Sequence, residues 1–230
     1  MDIILVPGLW LDARSWDPIL PALTAAGHRP HPLTMPGVGA SAEDSADIGM
    51  SDWVAAVVER IDELTGDVVL VGHSGGGNVV WGAADARPDR VARVVFVDTA
   101  PPAPGYAISE FPVVDGVVPF PGWEFFESEE TDDLSPGIRS GTAGLLSPIP
   151  ARVPTDPIVL EDPRRFTVPV TLLMGSFDAE AIEALMAEWP DAAAEYQSIE
   201  NRDVVRIGSG HWPQFSVPER LGELLVNAVR

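Results

Sequence analysis

Short, continuous apolar runs separated by amphipathic stretches constrain this chain more than any other feature. The runs at 3–6, 68–71, 94–98, 168–174 and 204–207 are rich in Val, Ile and Leu, and a sixth candidate lies at 29–33. Strands that are apolar at consecutive positions are covered on both faces, which is the setting of parallel sheets. Parallel neighbours need crossover connections, and helices with readable ends lie between the runs. Asp17-Pro18 offers a capping side chain before a first-turn proline, and Gly27 closes that helix. Ser51 is placed to cap a second helix, with Trp53, Val57, Ile61 and Leu64 on one face. A third runs from Gly75 to Ala86 and stops at Arg87-Pro88. A fourth carries Ile182, Leu185, Met186 and Trp189 on its apolar face, and a last one from Pro218 carries Leu221, Leu224, Leu225 and Ala228. The fold class that follows is α/β, a doubly wound, mostly parallel sheet of about six strands flanked by helices.

One stretch interrupts the alternation. Residues 101–167 hold 12 of the 23 prolines and the aromatic cluster Phe120, Trp123, Phe125 and Phe126. A connection this long is usually a lid or a disordered segment, and disorder has no use for so many aromatics. The domain division expected is therefore a core of residues 1–100 and 168–230 with a lid inserted at 101–167.

Composition removes several function classes. The 230 residues contain no cysteine, which excludes disulfides, thiolate metal sites and a cysteine nucleophile. Acidic residues outnumber basic ones 35 to 14, for a formal charge of −21, so phosphate backbones and anionic lipid surfaces are poor partners. All the basic residues are arginine, so Schiff-base and Ser–Lys chemistry are excluded as well. The first strand candidate begins at Ile3 with no basic segment or cleavage site before it, and no apolar run reaches the length of a membrane span. The expectation is a cytoplasmic protein without a membrane or nucleic-acid partner.

Gly72-His73-Ser74-Gly75-Gly76 fits G-x-S-x-G, the sharp strand-to-helix turn that presents a nucleophilic serine. The context fits too, since the strand 68–71 precedes it and a helical pattern follows. A serine needs a base, and only four histidines exist. His28 and His31 flank the second strand, and His73 points away from Ser74. His211, in Gly210-His211-Trp212-Pro213 beyond the last strand, lies where parallel sheets place their sites. Asp178, ending Gly175-Ser176-Phe177-Asp178, is the expected acid, in the chain order Ser, Asp, His; Asp98, ending 94–98, is its rival. Backbone N–H groups of Leu9 and Gly75 are the candidate oxyanion donors. Trp10, Trp123, Phe125, Phe126 and Trp212 are the candidate pocket walls.

Together these segments resemble the α/β-hydrolase superfamily over nearly the whole chain. Thr34-Met35-Pro36-Gly37-Val38-Gly39-Ala40-Ser41 resembles the family's D-x-P-G-x-G-x-S segment, with Thr34 in place of the usual Asp. Pro7-Gly8 stands where the family usually has His-Gly. Within the superfamily the chain is similar to small serine esterases of the plant methyl esterase and hydroxynitrile lyase group. That resemblance implies an α/β-hydrolase fold with a short helical cap. Hydroxynitrile lyases of this fold use a lysine that this chain lacks, and Ser74 replaces the Asp nucleophile of dehalogenases and epoxide hydrolases. The expected activity is hydrolysis of a small-molecule carboxylic ester or lactone through an acyl-enzyme on Ser74, with no cofactor and no metal. A cofactor-free oxygenase or C–C bond-cleaving enzyme on the same fold, or a non-catalytic small-molecule receptor, are the alternatives.

Overall fold

The computed structural model describes residues 1–229. In chain order the strands are β1 (Asp2–Val6), β2 (Arg29–Pro32), β3 (Val68–His73), β4 (Val91–Val97), β5 (Val117–Val118), β6 (Ile149–Pro150), β7 (Val170–Met174) and β8 (Arg202–Arg206). The helices are α1 (Leu20–Ala25), α2 (Ala42–Ser45), α3 (Met50–Glu63), α4 (Gly76–Ala86) and α5 (Ser128–Thr131). They continue with α6 (Pro136–Thr142), α7 (Ala179–Ala187), α8 (Pro190–Ser198), α9 (Pro213–Ser216) and α10 (Pro218–Ala228).

Among the described residues the main sheet has six strands in the order β2-β1-β3-β4-β7-β8, and every pairing is parallel. The chain winds one way from β1 to β2 and the other way from β3 onwards. The switch point is therefore the β1/β3 pair, where Val6 lies opposite Gly72. Side chains alternate across the sheet. Ile3, Leu5, Val69, Val71, Val95 and Val97 face one way, into a core with Trp16, Leu23, Leu221 and Leu225 of the α1 and α10 side. Ile4, Val6, Leu70, Val94, Phe96 and Leu172 face the other, against Trp53, Val57 and Ile61 of α3 and Val79, Val80 and Trp81 of α4. Burial on both faces is the reason these strands read as unbroken apolar runs.

The long connection between β4 and β7 folds into short pieces: the antiparallel pair β5–β6, helices α5 and α6, and single 3-10 turns. Aromatic packing fastens it to the core. Trp10, in the loop after β1, meets Phe111, Phe120 and Phe126 edge-on at 4.9, 5.6 and 6.0 Å between ring centres. Trp212 meets Phe126 and Trp123 at 4.8 and 5.0 Å. The aromatic cluster noted in the sequence thus joins the insertion to the loops that follow β1 and β8.

Three helix ends differ from expectation. Asp17 ends a 3-10 turn (Ala13–Trp16), and α1 begins three residues later without a side-chain cap. Helix α3 starts from Gly49, whose N–H donates to the Asp52 carboxylate at 2.8 Å, so Ser51 lies inside the helix and caps nothing. The fourth expected helix is two, α7 and α8, broken at Trp189-Pro190 because proline cannot continue a hydrogen-bonded turn. Ile182 and Met186 are buried as the pattern required, but Leu185 and Trp189 are 38% and 59% exposed.

Candidate active site

Ser74 is the first residue after β3 and adopts φ +51°, a left-handed conformation that costs energy for any residue with a Cβ. Its neighbours show why glycine flanks it. A methyl on Gly72 would lie 2.5 Å from the Gly76 carbonyl oxygen, and one on Gly76 would lie 2.5 Å from the Pro7 oxygen. Only a chain bare at both positions can turn this tightly between β1 and α4. The first turn of α4 therefore starts directly beneath the serine.

The Ser74 hydroxyl donates to His211 Nε2 across 2.9 Å, and His211 Nδ1–H donates to Asp98 Oδ2 across 2.6 Å. Asp98 follows β4 directly, at φ +48°, and its other oxygen accepts the Gly175 N–H at 2.7 Å. A side chain at position 175 would strike that carboxylate, since a methyl there lies 2.9 Å from Asp98 Oδ1. Burial pushes the Asp98 carboxyl up, but the His211 hydrogen bond and charge, the Gly175 N–H and the His73 charge outweigh it. The net direction is below the ordinary carboxylate value.

The expectation that Asp178 orients His211 is corrected. Asp178 is exposed, and its Oδ1 accepts the Ala181 N–H at 3.0 Å as the N-cap of α7. A carboxylate committed to a helix end is turned away from the histidine loop, whereas Asp98 sits at a strand end one strand closer to Ser74.

Two further supports for His211 have no signature in the sequence. His73 is buried beneath it, ring centres 5.0 Å apart, with its Nε2–H donating to the His211 carbonyl at 2.7 Å. Its Nδ1 accepts from Gln214 Nε2 at 3.2 Å. Burial, with the His211 charge, pushes the His73 pKa down to about 3, against the opposing pull of its hydrogen bond to the His211 carbonyl. Above the site, the insertion holds the loop by its backbone: His211 N–H donates to the Glu130 carbonyl at 2.9 Å, and Gly210 N–H to Asp133 Oδ2 at 2.7 Å.

Two cavities open on Ser74. The larger, about 280 Å³, is walled by Gly75, Asn78, Thr99, Pro102, Ile108 and Met186. The smaller, about 50 Å³, lies between the β1 loop and the insertion and is lined by Leu9, Trp10, Phe111, Phe126 and Trp212. Of the five aromatic candidates, Trp10, Phe126 and Trp212 reach a cavity. Trp123 stacks edge-on behind Phe120 and Trp212, and Phe125 is half exposed, so neither lines the space beside Ser74. Leu9 and Gly75 are direct neighbours; a methyl on Gly75 would lie 3.0 Å from Leu9 Cγ.

With a strained serine, a histidine and a carboxylate at three strand ends, the chain can be compared with known proteins. Residues 3–224 match the profile of the alpha/beta hydrolase family. The chain belongs to that family. Among curated alpha/beta relatives, Esterase PIR7B of Oryza sativa subsp. japonica is 40% identical over 110 residues, covering 44% of this chain and 40% of that protein. Methylesterase 8 of Arabidopsis thaliana is 32% identical over 115 residues, covering 47% and 42%. The matched part thus spans less than half the length of either relative. An extracellular alpha/beta-hydrolase from a Paenibacillus species superposes with a TM-score of 0.78 at 20% identity, covering 99% of this chain and 98% of that one. The methylesterase MES16 from Arabidopsis superposes at 0.75 with 24% identity, covering 100% and 98%. These superpositions establish the fold.

Proposed function

We propose that the protein is a serine hydrolase of small-molecule carboxylic esters or lactones. The reading rests on the continuous hydrogen-bond chain Ser74–His211–Asp98 at the mouth of a cavity. The esterase names of the curated relatives point the same way. Ser74 Oγ bonds to the carbonyl carbon while its proton passes to His211 Nε2, and the carbonyl π pair moves onto oxygen. Leu9 and Gly75 N–H groups receive that oxyanion. Gly75 is the N-cap of α4, so its donor sits at the positive end of the helix. Collapse breaks the bond to the alcohol, which leaves with the proton held on His211. Water, deprotonated by the same nitrogen, then releases the acid and restores Ser74. Asp98 keeps the Nδ1 proton in place and balances the imidazolium. Residues 101–167 act as the cap over this site, with Ile108 set between the two cavities.

Labelling with a fluorophosphonate, located by peptide mass spectrometry, tests this reading. One label per chain on Ser74, absent from Ser74→Ala, is the expected result. Folded protein that takes no label would sink the proposal.

A further inference from the structure

Asn78 stands in the first turn of α4, four positions after Ser74, on the helix face that borders the same cavity as the serine. It is only 7% exposed, and that face lines the larger cavity beside Ser74. Its carboxamide has no hydrogen-bond partner among the described residues, and the Gln214 Oε1 and Trp10 Nε1 atoms are likewise unpaired, while other buried polar atoms are bonded. Gln214 holds His73, and Glu195 takes the Trp81 indole N–H at 2.7 Å. Thr99, on the same cavity wall, presses its methyl toward Gly77, and its hydroxyl also has no partner among the described residues. Around these two groups the walls are mostly apolar, with Pro102, Ile108 and Met186, and the Tyr106 hydroxyl donates to Asp191. Among the described residues no arginine lines the cavity, and Asp98 and His211 border it.

A mostly apolar pocket with few convergent polar groups uses those groups to select its ligand. An amide left unpaired when a hydrocarbon fills the space forfeits its hydration without replacement, so such a site rejects the apolar analogue of a polar substrate. An anionic group would lie beside the Asp98 carboxylate, with no arginine among the described cavity residues to balance it. Resting on the hydrolase reading, we propose that Asn78 is a specificity-determining residue of this enzyme. Its carboxamide hydrogen-bonds a neutral polar group, a hydroxyl or carbonyl, on the arm of the ester that fills the larger cavity, and Thr99 is its auxiliary partner.

The test uses two pairs of esters in which OH replaces CH3. On the alcohol side these are 2-hydroxyethyl and propyl butyrate, and on the acyl side methyl 3-hydroxypropanoate and methyl butyrate. The readout is the polar-to-apolar ratio of kcat/KM, each divided by the alkaline hydrolysis rate. In one pair the ratio should drop at least tenfold in Asn78→Leu, while Asn78→Ser, which puts a hydroxyl in place of the carboxamide, should fall between. Thermal unfolding reports whether each variant is folded. Esters that do not turn over are scored by their protection of Ser74 from the fluorophosphonate, which yields the same ratio. Ratios within twofold of the wild type for both variants in both pairs would overturn the assignment while leaving the hydrolase reading intact. A wild-type Ser74 that takes no label at all removes the hydrolase reading and the assignment with it.

Discussion

The Asp98 carboxylate is held by two donors, His211 and the Gly175 N–H, and the geometry leaves Asp178 with a purely local task. Asp98→Asn keeps the shape but favours the wrong histidine tautomer, and kcat should fall by about 10⁴. Asp178→Ala should leave ester turnover within twofold and lower the unfolding free energy by about 1 kcal/mol, the worth of an N-cap, measured by urea denaturation. Equal losses of turnover in the two variants would contradict the assignment. His73 is a second residue whose position sets a measurable property. Its native pKa is pushed down from 6.5 to about 3, so between those values the unfolded chain binds a proton that the native chain refuses. Its contribution to stability is complete above pH 6.5 and drains away as pH falls toward 3, by up to about 1.4 kcal/mol per pH unit. His73→Gln should lose that part of the slope; a variant with the wild-type slope would show that His73 is not the group responsible.

At the scale of elements, the insertion is anchored at its far end by a buried ion cluster. Arg165 Nε and Nη2 donate to the two Glu195 oxygens at 2.7 and 2.9 Å, and its Nη1 donates to Asp85 at 3.2 Å. Asp85 also accepts the Glu161 and Asp162 N–H groups, so the last turn before β7 is tied to α4 and α8 at once. Removing one partner strands a buried charge. Arg165→Met should therefore destabilise by about 3–5 kcal/mol, whereas the double variant with Glu195→Gln, which removes the stranded charge and keeps an acceptor for the Trp81 N–H, should recover much of that loss in a denaturant titration. A double variant no more stable than the single one would assign the loss to packing. Near its middle, Glu130 of α5 and Asp133 just after it accept the His211 and Gly210 N–H groups, so the insertion is also tied to the histidine loop.

For the whole molecule, the formal charge is −21. An anionic ester must approach through a repulsive field, and salt shortens that field from about 30 Å at 0.01 M to about 8 Å at 0.15 M. The kcat/KM for monoethyl succinate should rise several-fold over that range, while diethyl succinate should change by less than twofold. Parallel responses would show that charge does not steer encounter. Among the described residues no helix is long and apolar enough to cross a membrane.

The sheet was legible because burial on both faces forces unbroken Val, Ile and Leu runs, a signal carried by neighbours in the chain. The elbow was legible for a similar reason: its glycines answer to clashes within a few residues and with the adjacent first strand. His211 could be reached by elimination among four histidines. Which carboxylate meets it could not, because Asp98 and Asp178 both follow apolar strands, and local pattern does not measure reach across a sheet. Asp98 lies 113 positions from His211, and only strand order and the bare Gly175 between them decide the pairing. The same holds for His73, Gln214 and Asp133, whose partners come from separate parts of the chain. Sequence determined what short-range sterics and periodic burial impose; hydrogen bonds between distant segments exist only once packing has fixed the distances.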